Sequence, residues 1–236
     1  MPVSTALYEI DGGFDTESLK SNLSEVELER PSNMADGPLR TRFSSINETT
    51  NGVTSAIEFE FEEKRSGWDG VEYNRERVQA RIRFTDTIGE GGVLIVAKSD
   101  HQNEIASRLI DFFGVGPDPA SDEPAESVGL IRVNITEDEL RDILSDDANV
   151  ESRATYDSID ENTSSASLAG ALGESSPASE FNRRGNKRWV IYESKSFEKK
   201  VGITVKNDAV VFWGDWNDAE MERYWSRIII PNLDHE

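Results

Sequence analysis

The sequence predicts an α+β protein built from two related β-α-β-β-β-β-α halves, whose strands form antiparallel sheet or sheets with helices packed on one face. Three observations predict it. Two segments alternate strictly between apolar and polar residues, the signature of half-buried strands: Ile57–Glu63 sets Ile57, Phe59 and Phe61 against Glu58, Glu60 and Glu62, and Arg77–Thr85 sets Val78, Ala80, Ile82 and Phe84 against Arg77, Gln79, Arg81 and Arg83. The order strand, helix, strand, long loop, three strands, helix then occurs twice. DTESLKSNL (15–23) corresponds to TEDELRDIL (136–144), and the strand-to-helix passage at 91–113 to the one at 207–230, which an internal duplication explains. Between the halves lies GVGPDPASDEPAES (114–127), a linker by composition.

In chain order, Ser4–Ile10 reads as a strand. Asp15 or Thr16 caps a helix that carries Leu19 and Leu23 on one side, and Glu25–Arg30 reads as a second strand. Residues 31–55, with Pro31, Gly37, Pro38, Asn47, Asn51 and Gly52, lose periodicity and predict a long loop. After the two alternating strands, Gly91 and Gly92 precede the apolar strand Val93–Ala97. Ser99 or Asp100 caps a helix with Ile105, Leu109, Phe112 and Phe113 on its buried side. Past the linker come a strand at 128–134, a capping box Thr136-x-x-Glu139 opening a helix, a strand at Asn149–Tyr156 and a Ser/Ala-rich loop at 158–185. Lys187–Phe197 and Val201–Lys206 are strands. Asn207–Asp208 predicts a two-residue hairpin turn into Ala209–Trp213, and Asp215 caps a last helix that stops at Pro231. The resulting division is 1–115 for the first half, 116–127 for the linker and 128–236 for the second half.

Charge is the next constraint. The 236 residues carry 46 acids, 25 lysines and arginines and no cysteine, a net −21. The excess is dispersed, as in proteins that stay hydrated in concentrated salt; with only 8 lysines to 17 arginines, it reads as a cytoplasmic protein of a salt-accumulating, archaeal type of organism. Met1–Ile10 shows no signal-peptide pattern and no apolar run approaches a membrane-spanning length, so neither export nor a membrane partner is expected. Without cysteine, neither a disulfide nor a thiolate–metal framework can form.

The strand-helix order used twice, with Val96-Ala97-Lys98-Ser99 running from a strand into a long helix, resembles the TATA-box-binding-protein fold. The resemblance spans nearly the whole chain at the level of topology. It implies two halves joined in a curved sheet with helices on its back, and a DNA-binding, transcription-linked role.

Against the acidic background stands one basic island. Residues 181–206 hold eight lysines and arginines against two acids, a local +6, and the remaining 210 residues carry −27. The candidate nucleic-acid-binding residues are Arg183, Arg184, Lys187, Arg188, Lys195, Lys199, Lys200, Lys206 and Trp213. The expected hairpin pairs Lys206 with Ala209 and Thr204 with Val211. That register leaves Gly202, Thr204, Lys206, Val211 and Trp213 on an open sheet face, where a ring stacks bases and cations track phosphates. A site neutralising about six phosphates loses about five decades of affinity per tenfold rise in salt, so stacking has to carry binding in a salty milieu. The alternatives are an acidic protein partner or homodimer meeting the island, or an island that merely offsets neighbouring acids. The ladder Glu58/Glu60/Glu62 facing Arg81/Arg83 reads as cross-strand charge pairing.

Catalytic signals are sparse. The two histidines, His101 and His235, stand apart, and no HExxH occurs. Gly89-Glu90-Gly91-Gly92 lacks the ending of a phosphate loop, and the acids at 215–220 lack calcium-loop spacing. The sequence therefore predicts a non-enzymatic binding protein without cofactor or metal, with a protein-interaction adaptor as the alternative and a carboxylate-dependent hydrolase as a third reading.

Overall fold

The computed structural model describes residues 2–34, 37–67, 70–88, 91–114, 129–159, 163–205 and 208–233. It is α+β, and its strands pair antiparallel wherever their register is described. The chain forms two compact units: an N-terminal unit, Leu7–Ile131, and a C-terminal unit made of Arg132–Glu236 together with Met1–Ala6. The expected division at 115/128 is therefore displaced. The first residues of the chain belong with the second half, and the linker at 116–127 lies outside the described residues.

In the N-terminal unit the elements are β1 (Val3–Ile10, whose later half belongs here), α1 (Thr16–Glu25), β2 (Glu27–Arg30), β3 (Leu39–Thr49), β4 (Gly52–Gly67), β5 (Gly70–Thr85), β6 (Gly92–Val96) and α2 (Ser99–Gly114), with strand order β2-β3-β4-β5-β6-β1. Asp15 caps α1 as expected, its carboxylate accepting the Ser18 N–H at 2.8 Å. Ile57 and Phe59 of β4 and Ile82 and Phe84 of β5 are buried with Leu19, Leu23, Ile105 and Leu109 of the helices. Edge-on ring contacts Phe43–Phe112 and Phe84–Phe113 fix α2 on that same face.

The long loop expected at 31–55 is instead mostly sheet. β3 occupies Leu39–Thr49 and a tight turn leads into β4 at Gly52, whose φ of +141° and close approach to the Phe84 carbonyl admit only glycine. Leu39, Thr41 and Phe43 do alternate, but the register shifts between Ser44 and Asn47, where Ser45 adopts φ +52°, and the bulge interrupts the period.

β7 (Leu130–Arg132, paired with β1) ends the N-terminal unit, with Arg132 the first residue of the other, and the C-terminal unit contains α3 (Glu137–Asp147), β8 (Ala148–Asp157), β9 (Ser165–Ala169), α4 (Ser176–Arg184), β10 (Asn186–Ser194), β11 (Lys200–Thr204), β12 (Ala209–Phe212) and α5 (Asp218–Tyr224), which continues through a π-helical turn to Ile229. Its strand order is β1-β12-β11-β10-β8-β9. Tyr192, Val190, Ile203, Val201, Val210 and Phe212 line one face and are fully buried or nearly so. That face receives α3 through Leu140 and Ile143, α4 through the Phe181–Tyr156 ring contact, and α5 through Tyr224, whose hydroxyl touches that of Tyr192.

The 158–185 stretch, expected as loop, contains β9 and α4. Ser175 caps α4 through the Ala178 N–H at 3.3 Å, with Pro177 in its first turn, a start signal present in the sequence. The last helix is capped by Asn217, in a capping box with Glu220, and not by Asp215. The element order repeats between halves apart from α4. The strand order does not: β3 lies between β2 and β4, whereas β8, not β9, lies beside β10.

The N-terminal strand is locked into the C-terminal unit by Thr5, which is wholly buried. Its hydroxyl donates to the Val210 carbonyl at 3.0 Å and accepts the Trp225 indole N–H at 2.9 Å. Thr5→Val keeps the shape and strands that N–H, so it should destabilise the protein by about 1–3 kcal/mol in chemical denaturation, while Thr5→Ser should lose much less.

Candidate nucleic-acid interface

The basic island is dispersed over both faces of the C-terminal sheet. Ordinary alternation along β10 aims the adjacent cations Lys187 and Arg188 apart, and the β8–β10 register shift between Lys187 and Trp189 puts Trp189 on the face opposite Lys187. Lys187 turns to the helix side and is only 6% exposed; its ammonium lies 2.8 Å from Glu151 and 5.8 Å from the Tyr156 ring centre. Arg188 instead pairs with Asp157 at 2.9 Å.

The turn after β10 spends two more lysines on helices. Lys195 donates to the Ser145 and Asp146 carbonyls at 3.2 and 3.3 Å, supplying a positive charge to the last turn of α3, which has no basic residue of its own. Lys199 binds both oxygens of Glu220 at 2.9 Å in the first turn of α5 and lies 5.4 Å from the Trp216 ring centre. The bond to Glu220 raises the Lys199 pKa, and reciprocally that of Glu220 is lowered. Arg183 and Arg184 end α4, where cations suit the helix C-terminus, and Arg184 pairs with Glu180 at 3.0 Å. Lys206 lies outside the described residues.

Two of the nine candidates remain on the open face, Lys200 and Trp213. The register differs from the expected one: Thr204 pairs with Ala209 and Gly202 with Val211, two residues earlier than expected, and Asn207 of the expected turn lies outside the described residues. Asp208 is diverted from that turn, accepting the Ile135 N–H at 3.0 Å with φ +43°. A slip of two residues keeps the faces unchanged, so the open set of Gly202, Thr204, Val211 and Trp213 stands. The Trp213 indole packs against Gly202, which has no side chain to hold it off; a Cβ there would meet the ring at 2.7 Å.

The same register places three residues there that sequence reasoning did not select. Trp189 is opposite Thr204 and Ile191 opposite Gly202, and Arg153, opposite Ile191 on β8, sits 5.7 Å from the Trp189 ring centre. The alternation Trp189, Ile191, Glu193 against Val190 and Tyr192 was the available signal. The result is a half-buried platform of two indoles, Ile191 and Val211, bordered by Arg153 and by Lys200, which stands directly opposite Glu193 on the same face. Neither a family model nor a curated protein matches the chain. The platform must be read from its own chemistry.

On the helix side, a cleft of about 330 Å³ is lined by Glu137, Arg141, Glu151, Asn182 and Lys187 among others. Its charges are spent on one another, Arg141 on Glu137 at 2.7 Å and Lys187 on Glu151. Burial and the nearby Glu151 push the Tyr156 hydroxyl up to about 12, so it is neutral and donates to Asn182 at 2.9 Å. Among the described residues no group of three or more histidines and carboxylates is placed to hold a metal.

The N-terminal ladder is paired as expected on neighbouring antiparallel strands, though with other partners: Glu60 faces Arg77 and Glu62 faces Arg75, while Arg81 and Arg83 face Ala56 and Thr54. Glu62 anchors the turn after β2, accepting the Ser32 hydroxyl, the Asn33 N–H at 3.0 Å and the Met34 N–H at 3.3 Å. The Ser32 bond, then those from Asn33 and Met34, hold its pKa down at about 2 against an ordinary 4.5. A depressed carboxylate pKa contributes stability that is complete above the ordinary value and is lost as pH falls through the depressed one. The turn at 32–34 should therefore detach between about pH 4.5 and 2, seen as titrating amide shifts of Asn33 and Met34, and Glu62→Gln should abolish that transition.

Proposed function

We propose that this protein is a non-enzymatic DNA-binding protein that holds unpaired bases on the open face of its C-terminal sheet. The observation that carries the reading is the platform itself: Trp189 and Trp213 lie half-buried on the side of the sheet opposite the one that receives the described helices α3, α4 and α5, with Arg153 and Lys200 at its border. Aromatic rings on an open sheet stack bases, and flanking cations track the backbone.

The pairing of Lys187, Arg188 and Lys199 with carboxylates alters the character of that binding. With Arg153 and Lys200 the cations at the platform, and Lys200 opposite Glu193, at most about two phosphates are neutralised and the log–log salt slope for a single strand is no steeper than about −1.4. A shallow slope is what binding in concentrated salt requires, which agrees with the salt-adapted, cytoplasmic setting that the dispersed acidic excess supports. No helix among the described residues is long and apolar enough to cross a membrane. A transcription-linked role follows the resemblance of the element order to TATA-box-binding proteins.

A second reading has its own observation. Ile191 and Val211 lie between the indoles, and an apolar centre with a charged border also suits a protein partner.

Fluorescence anisotropy with an oligothymidylate, and with duplex DNA as comparator, separates the two. Trp189→Ala or Trp213→Ala should weaken single-strand binding about 5- to 150-fold, from about 1–3 kcal/mol per stacked base. Arg153→Glu and Lys200→Glu should weaken it further in dilute salt than in concentrated salt. Arg184→Glu, the same charge change on the helix side, should leave it unchanged. Absence of binding by the wild type to either DNA removes the DNA reading and leaves the protein partner.

A further inference from the structure

The two edge strands are finished differently. β2, at one end of the strand order, is four residues long and carries Glu27, Glu29 and Arg30. Short length and charge are how natural sheets guard an edge against added strands. β9, at the other end, reads Ser165-Ala166-Ser167-Leu168-Ala169 and has no guard. It sits within Asn162–Gly173, the longest run without a charged residue in this chain.

Its hydrogen-bonding direction follows from the ladder. Ser158 N–H donates to the Ser164 carbonyl and Gly170 N–H to the Ser152 carbonyl, in the register that pairs Arg153 with Ala169. Alternation along an antiparallel pair then directs Ala166 and Leu168 inward to β8, and the backbone groups of Ser165, Ser167 and Ala169 outward. All three outward residues are exposed, and no described backbone group bonds them on that side.

We propose that the β9 edge pairs with β9 of a second copy of this chain, antiparallel about a two-fold axis through Ser167. That register sets Ser167 opposite its equivalent and Ser165 of each copy opposite Ala169 of the other, so every outward N–H and carbonyl finds a partner. Small side chains let the strands meet without clash. Charge selects the occupant. Two chains of −21 repel over most of their surface, and an uncharged edge is where they approach at least electrostatic cost. Since the edge has no ion pair to lose, added salt screens the repulsion and tightens the dimer, the reverse of a charge-matched interface.

The test is sedimentation velocity of the full chain up to about 1 mM, where a weak dimer is populated, in about 0.1 M and about 1 M KCl. The wild type should dimerise, more tightly in the higher salt. Ser167→Pro removes an outward N–H and, toward β8, only the hydroxyl contact with Thr155 while the backbone ladder stays; in a symmetric pair the outward loss counts twice, so the dimer should weaken about 30-fold. Ser167→Lys restores the missing guard and should do likewise with the N–H intact, which decides the matter if the proline variant fails to fold. Amide exchange at Ser165, Ser167 and Ala169 should slow as protein concentration rises. A wild type that stays monomeric, a dimer indifferent to Ser167→Lys, a dimer loosened by salt, or protection independent of concentration each overturns the proposal.

Discussion

Packing in the C-terminal unit depends on one turn, the five residues between β10 and β11. Lys195 at its start donates to the last carbonyls of α3, and Lys199 at its end grips Glu220 in the first turn of α5. The chain places two of its eight lysines where two helices end or begin, each complementing the partial charge of a helix terminus or the carboxylate that caps it. Beneath them Tyr192 and Tyr224 meet hydroxyl to hydroxyl, both kept protonated by burial, and Phe197, Phe212 and Trp216 close around Tyr224. Fixing the helices on this side leaves the other side without a helix among the described residues.

The consequence for function is a separation of roles. A run of eight basic residues in an acidic chain looks, in one dimension, like a single cationic surface. In three dimensions the alternation of Lys187 and Arg188 along β10 and the turn at 195–199 send most of it to carboxylates and helix ends. What stays on the open face is aromatic and apolar with a thin border of mixed charge, Arg153 and the Lys200–Glu193 cross-strand pair. An interface of that kind binds by stacking and exclusion of water, which salt weakens little, and not by counterion release, which salt weakens severely.

Much of the fold was legible in the sequence, for identifiable reasons. Strict alternation located β4 and β5 and the correct buried faces of both, because period two survives errors in strand ends. The capping box at Thr136 and Glu139 fixed the start of α3. β3 was hidden by the left-handed Ser45, and β9 by side chains too small to show an alternation. The membership of Val3–Ala6 in the C-terminal unit could not be read locally, since Thr5 meets Val210 and Trp225 more than two hundred positions away. Of the site, the face assignment of Trp213 was readable from parity alone. The neutralisation of Lys187 and Lys199 was not, because their partners Glu151 and Glu220 come from other elements.

The central claim is that the open sheet face, and not the helix side, receives the ligand. Hydroxyl-radical footprinting of the full chain with a saturating oligothymidylate measures this directly. The account predicts protection of Trp189 and Trp213 together, with Ile110 and Tyr73, which are exposed in the N-terminal unit, unchanged as internal references. Bound oligonucleotide that leaves both indoles as reactive as in the free protein would contradict it.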